Sequence, residues 1–399
     1  MSDVLIIGAG IVGLTLAREI KHRNPGSRIT VLEKESTYGV HSSGRNSGVL
    51  HSGIYYPSDS LKAKVCVTGM RELRDYCLQH GLPIKHIGKV IVPTREEDGK
   101  QLDLLLGRGR ANGATVELID EQQLRELEPE ARSATGQALW SPDTAVIDPM
   151  AVLKRLVEEL TAQGVSIRYG QSVRHIDATA AVVHLGDGSL AYGHLLNAAG
   201  LFADKVAHAM GAGKHYTLLP FKGIYYKLSP TSGLDIRHLI YPVPDLRVPF
   251  LGVHYTSTVA GKTYLGPTAV PAWGRENYRG LQGIRLRDAG AIGYRLAKQY
   301  ALDRQGFRLL ARIEGRRYFK KYFAEAARAL TPRLRDEHLL ACDKVGIRAQ
   351  LLDTEKNELV SDFVVERGER STHILNAISP AFTSSFAFAR HVVDHFVPM

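Results

Sequence analysis

The chain opens on a continuous apolar run, Val4-Leu5-Ile6-Ile7, of the kind that sits in a buried parallel strand. Gly8-Ala9-Gly10-Ile11-Val12-Gly13 follows. A helical pattern comes next, with Leu14, Ala17 and Ile20 apolar on one side and Arg18, Lys21 and Arg23 outside. Pro25-Gly26 ends that helix, Ile29 to Leu32 reads as a second strand, and Glu33 closes it. Farther on, Asp148-Pro149 has the form of a helix start, acid as cap and Pro in the first turn, with Val152, Leu156 and Leu160 along one face. Val165 to Tyr169 alternates as a strand. Val182 to Leu185 and Leu190 to Tyr192 flank Gly186-Asp187-Gly188 as a hairpin. Leu195 to Ala199 reads as a strand meeting a close backbone approach at Gly200, and a helix starts at Ala203. Between 215 and 335 the pattern changes, and runs such as Gly223 to Leu228 and Leu251 to Tyr255 suggest a mixed sheet. Leu359 to Val365 and Thr372 to Leu375 return to strand, and a last helix is expected from Ala381 to Phe396.

At 399 residues, 44% hydrophobic and 23% charged, the chain fits a soluble globular protein of two domains. The apolar run at the start is short, lacks a basic leader and flows into the glycine motif, so a strand is expected there and not a signal peptide. No stretch approaches the roughly 18 apolar residues of a membrane span. Cys66, Cys77 and Cys342 share no metal-ligand or redox spacing, and such scarcity suits a reducing cytoplasm. The net charge of +10 admits nucleic acid, anionic lipid or small anions as partners. Without zinc-finger, zipper or aromatic RNA-binding patterns, nucleic acid is not expected. The charge has one local concentration: Arg304, Arg308, Arg312, Arg316 and Lys320 fall every fourth residue, with apolar residues between them. If helical, with Gly306 and Gly315 as weak points, the stretch offers a basic stripe to an anionic membrane surface, or simply a solvated face.

The strand, glycine motif, helix, strand and acid, in that order, point to a dinucleotide site. Gly8 permits the tight turn, Gly10 lets backbone approach a pyrophosphate, and Gly13 lets helix pack on sheet. The helix start binds phosphate through free N–H groups and its dipole, and Glu33 can accept from ribose hydroxyls. NAD and FAD enzymes share this unit. Ser42 to Tyr56 adds a small-residue loop whose backbone can lie against a flat ligand.

That loop, read from Ser43 to Tyr56 as Ser-Gly-Arg-Asn-Ser-Gly-Val-Leu-His-Ser-Gly-Ile-Tyr-Tyr, resembles a motif of the D-amino-acid-oxidase superfamily, and within it of the L-2-hydroxyglutarate dehydrogenases and oxidases. Further matching blocks are Ser60 to Ala63, Pro242 to Asp245, Pro249 to His254, Gly346 to Gln350 and Asn376 to Ala381. The chain departs from the family at Lys222 (Arg there), Thr268 (Asn), Ile378 (Pro) and Leu50 (Ile). Lysine replaces a planar fork by a point charge, which touches substrate choice more than reaction type. The resemblance implies a Rossmann-like α/β FAD-binding domain, discontinuous over 1–78, 145–212 and 338–399, with an α+β mixed-sheet substrate domain over 79–144 and 213–337. It also implies FAD contacts at Asn46, Ser47, Gly48, Gly200, Gly346, Ser379 and Ala381, beside Gly8, Gly10, Gly13 and Glu33, and no metal.

Oxidising a 2-hydroxy acid needs a hydride acceptor, a grip on the carboxylate and a base for the hydroxyl proton. Histidine suits the last task. His51 and His254 lie in the two blocks expected beside the flavin, and sequence leaves the choice between them open. Arg348 can clamp a carboxylate through two parallel hydrogen bonds. Lys222 is the candidate for a second carboxylate, with Tyr241, Tyr255 and Thr268 as hydrogen-bonding candidates. Ser379-Pro380 as cap and first turn would aim the last helix at the flavin. The expected reaction is FAD-dependent oxidation of L-2-hydroxyglutarate, with electrons passed to a quinone or to oxygen, in the cytoplasm or on the membrane's inner face. A flavin amine oxidase for glycine-like or N-methyl amino acids and a non-enzymatic FAD-binding protein are the alternatives.

Overall fold

Five of the six residues of the first strand, β1 (Ser2–Ile7), are buried, and β1 lies at the centre of an eight-stranded sheet. It pairs in parallel with β2 (Ile29–Leu32) on one side and with Ser189–Asn197 on the other. The crossover from β1 to β2 is the helix α1 (Ile11–Arg23), as the apolar pattern requires. The expected hairpin forms, Val182–His184 pairing antiparallel with the first half of Ser189–Asn197. The second half takes Ser371–Asn376 in parallel. Beneath this sheet α1 packs with the helices Leu61–Gln79, Pro149–Ala162 and Ser385–Phe396 around Leu14, Leu16, Leu73, Leu156 and Phe388. Asp148 caps its helix as expected, accepting from the Met150 backbone N–H at 2.9 Å. The computed structural model describes residues 2–247 and 250–398, so Pro249 of the matching block lies outside the described residues.

A ten-stranded sheet forms the second layer. Its spine is the long antiparallel pair Tyr216–Leu228 and Leu339–Asp353, continued through Thr263–Gly266, His254–Ser257, Leu239–Pro242, Lys89–Val92 and Gln137–Ser141. The boundary at 338 therefore groups Leu339–Asp353 with the first sheet, whereas it is hydrogen-bonded wholly into the second. Strand alternation divides the ten-stranded sheet into two faces. One carries Val90, Ile240, Tyr255, Leu265 and Tyr226 against Phe323, Ala324 and Ala327 of the helix Lys320–Arg328. The other turns toward the first sheet.

Two expectations are corrected. The last helix begins at Ser385, and Ser379 lies in a turn ahead of it, so Ser379 caps nothing. The basic stretch is broken at Tyr318-Phe319 between the helices Phe307–Arg317 and Lys320–Arg328. Gly306 does mark the start of the first, whereas Gly315 continues within it.

Candidate active site

A cavity of about 970 Å³ runs between the two sheets, from the glycine turn after β1 to the inner face of the ten-stranded sheet. At the turn the backbone comes so close that side chains are excluded. Gly8 has φ of +110°, and a Cβ there would meet the Ala198 carbonyl oxygen at 2.4 Å. A Cβ on Gly13 would meet the Gly8 carbonyl oxygen at 2.0 Å, so Gly13 serves helix–strand contact and does not line the cavity. Gly10 does line it, at the start of α1, which has no side-chain cap of its own. The Ile11 N–H instead donates to the Ser43 hydroxyl at 3.0 Å, tying the following loop to the helix start. Glu33 lines the same end and is buried, one oxygen accepting from the Ala9 N–H and the other from the Glu35 N–H. Anchored so, the carboxylate keeps further lone pairs for hydroxyl donors. A helix start whose N-cap is glycine, a turn that admits only glycine and a fixed acid are what a dinucleotide needs, and these residues fit FAD.

In the next loop Asn46 and Ser47 line the cavity. Gly48 does not; its φ is +74° and its N–H donates to Asn46 Oδ1, so it shapes the loop that presents them. Gly200, Gly346, Ser379 and Ala381 are also on the wall.

The deep end is walled by the inner face of the ten-stranded sheet. Tyr241 and His254 stand opposite each other on neighbouring strands and stack, ring centroids 3.9 Å apart and planes at 23°. His254 Nδ1 is 2.8 Å from the Gly252 carbonyl oxygen. That bond requires the proton on Nδ1 and leaves Nε2 as an acceptor. Burial, with the charges of Arg348 and Lys89, holds the His254 pKa down at about 4. His51 reaches the same space from the loop. Its Nε2 is 3.4 Å from the Ser379 hydroxyl, and burial, then the charges of Lys89, His254 and Arg348, lowers its pKa to about 3. Arg348, half-buried on Leu339–Asp353, places its guanidinium 4.8 Å from the Phe250 ring centroid, and desolvation pulls its pKa below the ordinary value.

Of the remaining sequence candidates, Thr268 lines the cavity, but its hydroxyl accepts from the Ile224 N–H at 3.1 Å and donates to the Lys222 carbonyl. Two do not reach the cavity. Tyr255 follows His254 on one strand, so alternation sends it to the opposite face, where its hydroxyl donates to the Ala327 carbonyl. Lys222 lies between the cavity residues Phe221 and Gly223, and its ammonium donates to Asn277 Oδ1 at 3.0 Å. Residues not singled out from sequence complete the wall: Tyr225, Phe250 and Glu314, whose carboxylate accepts from the Ala269 N–H. Tyr225 was within reach of sequence reasoning, since a strand that sends Phe221 inward also sends Tyr225.

The model of the FAD dependent oxidoreductase family matches residues 3–395. The L-2-hydroxyglutarate dehydrogenase of Indibacter alkaliphilus is 36% identical over 400 residues, 98% of this chain and 98% of that protein. The mitochondrial L-2-hydroxyglutarate dehydrogenase of Homo sapiens is 33% identical, covering 98% of this chain and 88% of the human one. Among solved structures, the L-alpha-glycerophosphate oxidase of Mycoplasma pneumoniae with FAD bound superposes with a TM-score of 0.78 at 21% identity, over 98% of this chain and 94% of the other. At that identity the likeness speaks for the fold.

Proposed function

The chain belongs to the FAD dependent oxidoreductases and, within them, to the family of the L-2-hydroxyglutarate dehydrogenases, and from that premise we propose that it oxidises L-2-hydroxyglutarate to 2-oxoglutarate. It is an FAD-dependent enzyme. FAD, when bound, supplies the hydride acceptor at N5. The protein's own tasks are then to orient the substrate and take its hydroxyl proton. Arg348 holds the α-carboxylate, which suits a half-buried fork of N–H donors on the cavity wall. His254 takes the proton at Nε2. The observation that carries this role is the Nδ1 bond to Gly252, which fixes the tautomer, together with a depressed pKa that keeps the ring neutral. His51 has no partner at Nδ1 among the described residues, so its tautomer is not fixed in this way. Tyr241 positions His254 by stacking. Cofactor contacts fall to Gly8, Gly10, Glu33, Asn46, Ser47, Gly200, Gly346, Ser379 and Ala381. Residues 1–78, 145–212 and 354–399 serve as the cofactor domain, with Leu339–Asp353 moved to the substrate domain because of its strand pairing.

For the electron acceptor, a membrane quinone is the reading we favour over oxygen, with the protein peripheral on the inner membrane face. Its support is an exposed apolar set set among the basic residues: Leu286, Tyr294, Leu309, Tyr318 and Phe319 are each more than 45% exposed. Amphipathic, basic surfaces of this kind seat on anionic lipid. No helix among the described residues is long and apolar enough to cross a membrane. Cosedimentation with anionic but not zwitterionic vesicles, lost when Arg312, Arg316 and Lys320 become Glu, is the expected result.

The reaction itself is tested by anaerobic reduction of the flavin. Rapid bleaching by L-2-hydroxyglutarate, and not by D-2-hydroxyglutarate, L-lactate, glycerol 3-phosphate or glycine, is expected. Bleaching by glycine alone would move the enzyme to amine oxidation.

A further inference from the structure

The loop over residues 272–284 follows the short strand Val270–Pro271 of the ten-stranded sheet and contains no helix or strand, yet it is held closed on itself. The Ala272 N–H donates to the Pro220 carbonyl at 2.9 Å, and a Cβ on Gly274 would meet the Gly283 carbonyl oxygen at 2.2 Å, so the two limbs cross in contact. Asn277, 2% exposed, donates from Nδ2 to the Gly280 and Gln282 carbonyls at 2.7 and 2.9 Å. Its Oδ1 accepts from Lys222 Nζ at 3.0 Å, which gives that lysine a structural task. Arg275 ties the loop to the cofactor domain through two parallel hydrogen bonds to the buried Asp204 carboxylate, at 2.6 and 2.7 Å.

So held, the loop brings two side chains to the segment that follows Glu33. Glu276 accepts from Lys34 Nζ, and the same oxygen lies 3.2 Å from His41 Nε2. The Tyr278 hydroxyl is 2.8 Å from His41 Nδ1, and its ring centroid is 4.3 Å from the Arg45 guanidinium. Lys34 also pairs with Glu35, whose N–H anchors the Glu33 carboxylate at 3.0 Å. Glu35, His41 and Glu276 have the residue types of a metal site, but the Lys34 ammonium pairs with both carboxylates and already supplies the cation. Lys34, Glu35, His41, Arg45 and Glu276 line the cavity, whereas Tyr278 does not.

Residues 33–48 contain no helix or strand, and they carry Glu33, Ser43, Asn46 and Ser47. Left free, such a stretch loses conformational freedom when a ligand orders it. A restraint present beforehand removes part of that loss, so the ligand binds more tightly without a new contact. We propose that Glu276 and Tyr278 are positioning residues for FAD: the substrate-domain loop clamps residues 34–45 and thereby sets Glu33 and the turn over 43–47 around the cofactor. The clamp makes cofactor affinity depend on a loop of the other domain. It goes beyond the proposed reaction and rests only on FAD as the cofactor.

The test follows FAD affinity, read as flavin fluorescence released on dilution of the holoenzyme. The Lys34 and Glu276 side chains are each 32% exposed, so their pair is partly screened. Glu276→Gln is expected to weaken FAD binding about tenfold, and Tyr278→Phe, which loses one neutral hydrogen bond, about three- to tenfold. Because Tyr278 stands off the cavity, its hydroxyl acts through His41. In a His41→Gln background Tyr278→Phe should therefore add less than about twofold. A merely structural loop would lose unfolding free energy and leave the affinity alone. Affinity within about twofold of wild type in either single variant overturns the proposal, as does an equal effect of Tyr278→Phe with and without His41. If Glu276→Gln does not fold, Tyr278→Phe decides, since it keeps the ring beside Arg45. None of these outcomes depends on the substrate: a wild-type flavin that L-2-hydroxyglutarate does not reduce would sink the proposed reaction and leave the clamp standing.

Discussion

The two faces of the ten-stranded sheet are made by alternate residues of the same strands, yet they solve opposite problems. The outer face is apolar and settled: Val90, Ile240, Leu265 and Tyr226 bury against Phe323 and Ala327, and the Tyr255 hydroxyl there finds a backbone carbonyl. The inner face carries Lys89, Tyr241, His254 and Tyr225, all buried, and the half-buried Arg348, with the Lys89 ammonium unpaired among the described residues. Neighbouring residues of one chain, Val90 beside Lys89 or Tyr255 beside His254, thus differ in kind only through the parity of the strand. The lesson is one of division of labour. The outer face supplies hydrophobic burial, and the inner face holds polar groups whose removal from water is destabilising.

Changes on the two faces should therefore separate cleanly. The largest effect is expected at Arg348: Arg348→Met should lower kcat/KM about a thousandfold, through loss of the carboxylate clamp. A loss of less than about tenfold in steady-state assays would break the assignment. Next comes the pH profile. A base must be neutral to act, and the fold holds His254 neutral down to about pH 4. The acid limb of kcat/KM, which reports the free enzyme, should consequently lie well below the ordinary histidine value of about 6.5. A limb near 6.5 would mean that another group, less buried, takes the proton. The smallest effect belongs to the outer face. Tyr255→Phe removes one hydroxyl bond to the Ala327 carbonyl, so kcat/KM should stay within about twofold and unfolding free energy should fall by about 1 kcal/mol. A large kinetic loss in that variant would put Tyr255 back at the site.

The cofactor end was more legible in the sequence than the substrate end, for a physical reason. Gly8, Gly10, Gly13 and Glu33 act through local backbone geometry within one strand–turn–helix–strand unit, so their spacing along the chain already encodes their arrangement. The substrate wall is assembled from strands far apart in sequence: Tyr225, Tyr241, His254 and Arg348 meet only through pairing. Blocks of resemblance locate His254 and Arg348, whereas Tyr255, just past its block, is a hydrogen-bonding candidate by residue type alone, and strand parity sends it to the opposite face. Lys222 is a candidate by its charge, yet its side chain leaves the wall between Phe221 and Gly223 for Asn277, an orientation that only the folded strand decides. Ser379-Pro380 reads as a helix start because the residue types suit one, yet the pair forms a turn ahead of the helix, with the Ser379 hydroxyl 3.4 Å from His51 Nε2.

The central claim is that the inner face bears the base and that His254 is that base. Single-turnover reduction of the flavin by L-2-hydroxyglutarate, compared between His254→Gln and His51→Gln, tests it most directly. The account predicts a rate constant reduced about a hundredfold or more in His254→Gln, the usual contribution of a general base, and a smaller loss in His51→Gln. The reverse order, or equal rates in His254→Gln and wild type, would contradict it.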